Sequence, residues 1–247
     1  ALGDGDHTVL ARASDQYGNV DTTPASATWT VDTAAPATPT LTRTAPTSTP
    51  TNTTTATLTA GSVESGATLQ YTTNGGTTWT NAPGNTNPIQ LTGLTNGTTY
   101  NYAVRAVDAA TNASASSNTV TWTVDTAPPA APTVSRTSPT VDPTNSTSQQ
   151  ISVSGIEVGG TLLCDLDGTA YTPCTASISL SGLNPGSHTF QVVVRDAAGN
   201  NSAPGGVTWF IDNSGVSAPT ISSGPTAGST TNNTTATFGF ASSTSGV

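Results

Sequence analysis

Thr121-Trp122-Thr123-Val124-Asp125 decides how this chain is read, because the same five positions return twice more. They recur as Thr28-Trp29-Thr30-Val31-Asp32 and as Thr208-Trp209-Phe210-Ile211-Asp212, with the tryptophans 93 and then 87 positions apart. A second marker, Thr51-Asn52, returns at Thr144-Asn145 and Thr231-Asn232 with the same two spacings. A third is an arginine closely followed by an aspartate: Arg12 and Asp15, Arg105 and Asp108, Arg195 and Asp196. Three markers sharing one period near ninety residues specify tandem domains. Four segments follow: 1–32 as the last strands of an incomplete domain, 33–125 and 126–212 as complete domains, and 213–247 as the first strands of another. The whole reads as a window cut from a longer polypeptide.

Within each repeat, apolar residues alternate with polar ones at the period of a strand. Val120, Trp122 and Val124 share one face. The preceding strand turns Tyr100, Tyr102, Val104 and Ala106 inward, matched by Phe190, Val192 and Val194. Leu58 and Ala60 match Ile151 and Val153, then Phe238 and Phe240; Leu69 and Tyr71 match Leu162 and Cys164. Turn residues fill the gaps at Asn74-Gly75-Gly76, Asn96-Gly97, Asp167-Gly168 and Asn184-Pro185-Gly186. About seven short strands per repeat, with turn signals every 8–12 residues, predict a two-sheet β-sandwich. Asp32–Pro39 and Asp125–Pro132 are Pro-rich joints, expected to be extended and semi-rigid because proline fixes φ and disfavours helix before it.

Composition excludes several functions. The 247 residues carry five Arg and no Lys against 14 Asp plus Glu, a net charge of −9 that argues against nucleic acid and anionic membrane surfaces as partners. Thr makes up about one residue in five, and helix formers are scarce. No apolar run is long enough to span a membrane.

Other residues resemble a known group. Gly182-Leu183-x-x-Gly186-x-His188-Thr189-Phe190, Val194-Arg195, Asp196-Ala-Ala-Gly-Asn200 and the Thr-Trp-x-Val-Asp-Thr-x-x-Pro segments are similar to the bacterial Ig-like repeats of very large surface proteins. Gly93-Leu94-Thr-Asn-Gly97-Thr-Thr-Tyr100 is closer to fibronectin type III. The resemblance implies extracellular tandem modules serving as stalks, spacers or adhesive fibres. The fold class is therefore all-β: tandem Ig-like or fibronectin-III-like sandwiches joined by Pro-rich linkers.

Cys164 and Cys174 flank Asp-Leu-Asp-Gly-Thr-Ala-Tyr-Thr-Pro, so a hairpin turning near Gly168 sets them opposite each other for a disulfide, which suits an oxidising compartment. The sister repeat has Tyr71 and Ala82 there, which makes the bridge a local staple. No catalytic constellation is evident. His7 and His188 occupy one turn-to-strand position, where repeat 33–125 has Thr, and read as structural; Asp165 and Asp167 have poor geometry for acid–base work. No cofactor is expected, with calcium as the one candidate. Asp108 with Asn112 and Asp196 with Asn200 recur before the last strand, and Asp32, Asp125 and Asp212 recur at the joints. Calcium takes six to eight oxygens, which a joint gathers from both sides, whereas the plainer reading of these residues is turn chemistry. Asn-x-Ser/Thr triplets, such as Asn52-Thr-Thr and Asn145-Ser-Thr, arise readily in so Thr- and Asn-rich a chain.

The expected function is a non-enzymatic, secreted cell-surface stalk or adhesive fibre whose partners are neighbouring repeats. The alternatives are a self-assembling filament or sheath packed laterally through low-charge faces, and a carbohydrate-binding accessory module for which Trp79 is the candidate aromatic.

Overall fold

The computed structural model describes residues 1–242. By its contacts the chain divides into two compact units: Ala1–Pro129 with Glu157–Gly160 and Arg195–Ser202, and Ala130–Ile156 with Thr161–Val194 and Ala203 onward.

The first unit begins with a hairpin of β1 (Gly5–Ala11) and β2 (Ala25–Val31), which pairs His7 with Trp29. Seven further strands follow: β3 (Thr40–Ala45), β4 (Ala56–Gly61), β5 (Thr68–Thr72), β6 (Thr80–Asn81), β7 (Ile89–Leu91), β8 (Thr99–Val107) and β9 (Val120–Thr123). They form one sheet in the order β3-β4-β7 and another in the order β6-β5-β8-β9. Leu58, Leu69, Ile89, Val104, Trp122 and Val124 fill the space between them, all at most 2% exposed. Short side chains extend the ladders where strands end. Asn118 accepts from Leu41 N–H and donates to its carbonyl, and Asn87 does the same for Ala60. The hydroxyls of Ser114 and Ser117 accept the N–H groups of Ala106 and Val104 on β8. An Asn- and Ser-rich sequence thus satisfies backbone groups that longer strands would pair with each other.

The second unit repeats this plan with β10 (Thr133–Ser138), β11 (Gln149–Ser154), β12 (Thr161–Leu166), β13 (Thr172–Pro173), β14 (Ser177–Leu180), β15 (Gly186–Arg195) and β16 (Gly205–Ile211). The sheet orders are β10-β11-β14 and β13-β12-β15-β16. Ile151, Phe190, Val192, Val194, Trp209 and Ile211 form the core. A last hairpin pairs β17 (Thr220–Ser223) with β18 (Gly239–Ala241).

The topology settles the variant of sandwich. A constant-type immunoglobulin domain has a four-stranded ABED sheet and a three-stranded CFG sheet. Here the short fourth strand pairs instead with the third, β6 with β5 and β13 with β12. Both repeats are therefore fibronectin-III-like, including the one whose motifs resemble Ig-like repeats.

Two expectations for the chain ends differ. Trp29, Phe238 and Phe240 are 43%, 48% and 68% exposed, although the repeats place their equivalents in the core. Each lies in or beside a two-stranded sheet with no second layer across it among the described residues, so the inward face has nothing to pack on.

Candidate functional site

The recurring markers converge on the end of the last strand. Thr51, only 2% exposed, forms a parallel bridge with Val124: its N–H donates to Thr123 O at 3.0 Å and its carbonyl accepts Asp125 N–H at 2.8 Å. Thr144 grips Phe210 O and Asp212 N–H in the same way, at 3.0 and 2.9 Å. Its hydroxyl also accepts the Ser146 N–H, as Thr51's accepts that of Thr53. The Thr-Asn marker is thus a clip on the final strand.

The Asp-x-x-x-Asn turns have one geometry in three copies. In each, the Asp N–H donates to the Asn carbonyl, and the carboxylate accepts the Asn backbone N–H on Oδ1 and its side-chain amide on Oδ2. The residue before Asn lies in the left-handed region: Gly18 at φ +86°, Gly199 at φ +94°, and Thr111 at φ +74°. In two copies the same Asn amide reaches a joint aspartate's carbonyl. Asn112 Nδ2 donates to Asp32 O at 3.0 Å, and Asn200 Nδ2 to Asp125 O at 2.8 Å. All four of these residues belong to the first unit, as does the further bond from Asn52 N–H to Ala198 O.

The joint aspartates use their own carboxylates locally. Asp32 accepts Ala34 N–H, Asp125 accepts Ala127 N–H, and Asp212 accepts both the N–H and the hydroxyl of Ser214. That hydroxyl, then the N–H, draws the Asp212 carboxyl below the usual range. Burial opposes ionisation of Asp196, but the side-chain and backbone donors of Asn200 outweigh it and lower its pKa. Among the calcium candidates, Asn112 brings Asp108 beside Asp32 and Asn200 brings Asp196 beside Asp125. Turn carboxylates face amide hydrogens, and each joint carboxylate folds back on the residue two positions on. Among the described residues, no three His, Cys, Asp or Glu side chains gather as a metal site.

Cys164 and Cys174 are joined as a disulfide with a Cα–Cα distance of 5.8 Å, across a hairpin whose turn residues Asp167 and Gly168 both have positive φ. The Cys174 N–H donates to Leu162 O just as the Ala82 N–H donates to Leu69 O, so the sister positions correspond as read from sequence.

Two residues lie otherwise than expected. His188 corresponds to Tyr100 and not to a threonine: it pairs with Trp209 as Tyr100 pairs with Trp122. Trp79 is half-buried, with the Arg105 guanidinium 4.6 Å from its ring centroid and Gly76 beside it. A guanidinium therefore lies where a sugar would otherwise stack on that side of the ring. Sequence reasoning also passed over Arg43 and Arg136, which share the 93-residue spacing. Each lies over its repeat's tryptophan, at 5.3 and 6.0 Å from the ring centroid, and donates to carbonyls of the following loop.

No protein-family model matches the chain. Chitinase A1 of Niallia circulans is 37% identical over 173 residues, covering 63% of this chain and 24% of that protein. Endoglucanase B of Cellulomonas fimi is 35% identical over 147 residues, covering 52% of this chain and 14% of that protein. The chain thus spans a quarter or less of the length of these relatives. Among solved structures, fibronectin(III)-like modules of Clostridium thermocellum CbhA are 18% identical, with a TM-score of 0.43, over 69% of this chain and 93% of that one. No helix among the described residues is long and apolar enough to cross a membrane.

Proposed function

We propose that this chain is a non-catalytic extracellular spacer, built of tandem fibronectin-III-like repeats whose joints are held by hydrogen bonds and need no cation. One observation carries the reading: the carbonyls of Asp32 and Asp125, where the last strand of a repeat runs into a Pro-rich joint, are both taken by the Asn of an Asp-x-x-x-Asn turn. A flexible tether has no use for such a contact, and a spacer does. The disulfide supports an oxidising setting. The relatives are named a chitinase and an endoglucanase, of which the chain matches a minor part, and this supports an accessory segment of a secreted polysaccharide-acting protein.

The test places the chain between two fluorophores and compares their single-molecule energy-transfer distribution with that of a Gly/Ser linker of equal length. A narrower distribution is expected, because Gly/Ser chains behave as random coils. A distribution matching the Gly/Ser control would overturn the spacer reading. Hydrolysis of chitin or cellulose by the chain alone would overturn its non-catalytic part.

A further inference from the structure

The repeat 126–212 carries a histidine where the repeat 33–125 carries a tyrosine, and the surroundings of the two differ by one carboxylate. In the first unit, Tyr100 stacks on Trp122 with ring centroids 5.5 Å apart, and its hydroxyl accepts the Thr95 N–H at 2.7 Å. This resembles the tyrosine corner of immunoglobulin-like sandwiches, in which a ring at the start of the sixth strand bonds back to the backbone just upstream. His188 stacks on Trp209 at 5.3 Å, and its Nε2 bonds back to the Asn184 carbonyl at 2.8 Å. It keeps the corner's shape but adds a second ring nitrogen. That nitrogen, Nδ1, lies 2.8 Å from Asp167 Oδ2, while Asp167 Oδ1 accepts the Thr189 N–H.

Both partners of the imidazole are acceptors. A carbonyl oxygen and a carboxylate can each only accept, so each ring nitrogen needs a hydrogen to bond its partner. A neutral ring, with one N–H, leaves a lone pair facing one of the two acceptors, whereas a protonated ring donates at both nitrogens. We propose that His188 is a proton-binding site: a histidine corner that holds its second proton against Asp167 and ties the β12–β13 turn to the start of β15.

The other charged groups nearby come from one side. Arg136 on β10 reaches over Trp209, and Asp142 pairs with it at 3.3 Å while accepting the Phe210 N–H. Pairing with Asp142 offsets the Arg136 charge near the imidazolium, and β15 and β16 bring no further ionisable group to the ring. Burial of His188 opposes its charge, but the Asn184 carbonyl and then Asp167 outweigh this and raise its pKa. A raised folded-state value means that the bridge stabilises the fold fully below the unfolded histidine value of about 6.5, and that this is lost as pH rises through the folded value.

The chain has only two histidines, so imidazole carbon-bound protons give two NMR titrations, assigned by His7→Gln. The expected result is a His188 midpoint above the ordinary imidazole range, and a lower midpoint in Asp167→Asn, whose amide still accepts the Thr189 N–H. A His188 midpoint at or below the ordinary range, or one unmoved by Asp167→Asn, would overturn the proposal. Because Asp167 is also a turn residue of the hairpin, His188→Tyr provides a second readout by restoring the sister repeat's corner. It is expected to fold and to remove the loss of melting temperature between mildly acidic and mildly alkaline pH. An unchanged pH dependence in that variant would equally count against the site.

Discussion

The side-chain amide of Asn200 donates to the backbone carbonyl of Asp125 at 2.8 Å while its other bond, to Asp196 Oδ2, holds it in position. The carboxylate orients the amide, and the amide takes a carbonyl at the end of a strand 75 residues earlier. Asn112 repeats the arrangement on Asp32.

Replacing Asn200 by Ala removes both side-chain bonds and leaves the backbone turn intact. At roughly 0.5–1.5 kcal/mol per hydrogen bond, the loss of two should be about 1–3 kcal/mol. Asn200→Asp should be worse than Ala at neutral pH, because it sets a carboxylate against Asp196 and presents an acceptor to a carbonyl. Urea unfolding of the two variants checks the order, and Ala costing more than Asp would contradict it.

The same turn predicts an acid limb. Asp196 has its pKa lowered from 3.8, with burial opposing the shift and the Asn200 donors producing it. A depressed folded value contributes stability that is present above the unfolded value and lost as pH falls through the folded one. Melting temperature should therefore fall below about pH 4. Asn200→Ala should flatten part of that fall, and an identical acid profile in the variant would refute the assignment.

Gly205 opens β16 where a side chain has no room. A Cβ there would lie 2.1 Å from Pro132 O and 3.3 Å from Val134 Cγ2. The near atom is backbone, so relief requires moving β10 or β16, and Gly205→Ala should cost about 1–3 kcal/mol. Gly159→Ala is the control for a glycine with open space but φ of +82°. Its cost should come from backbone conformation alone, at about 1 kcal/mol. Equal stability of wild type and Gly205→Ala would show that the strands do not approach so closely.

Loss of the Cys164–Cys174 bridge should weaken the second unit and leave the first unchanged. The chain-entropy account gives about 2–3 kcal/mol for a loop of 10 residues. Ala82 shows that the Cys174 position accepts a buried alanine, so the double alanine variant should still fold. Thermal unfolding of that variant, followed at the two units by hydrogen exchange, should show protection lost in β12 and β13 and kept in β5 and β8.

How much of this was legible depends on whether a signal was periodic or relational. The Trp strand and the Thr-Asn clip recur because the same backbone bonds recur, and fixed spacing finds them. The His188 corner escaped because the turn before β15 is one residue shorter than that before β8. Five positions separate Leu183 from His188, whereas six separate Leu94 from Tyr100, so spacing from leucine aligns His188 with Thr99. Only the pairing with Trp209 restores the match. Asp167 looked like a turn residue and is one, with φ of +57°; that its carboxylate meets a histidine 21 positions away is a fact of sheet register.

Chelation provides the last test, and it separates two ways of holding a joint. Calcium bound by several oxygens stabilises the state that binds it by mass action, so removing it lowers the melting temperature in proportion to occupancy. In this chain Asp108 and Asp196 each have an Asn amide hydrogen on Oδ2 and an Asn backbone N–H on Oδ1, so both carboxylate oxygens already accept a donor. A cation would have to displace those donors and break the bonds to Asp32 O and Asp125 O. We expect the melting temperature to be the same in excess chelator and in millimolar calcium, with Asn200→Ala lowering it equally in both. A calcium-dependent rise abolished by Asn200→Ala would instead assign the turn to a metal and remove the hydrogen-bonded joint from the proposed function.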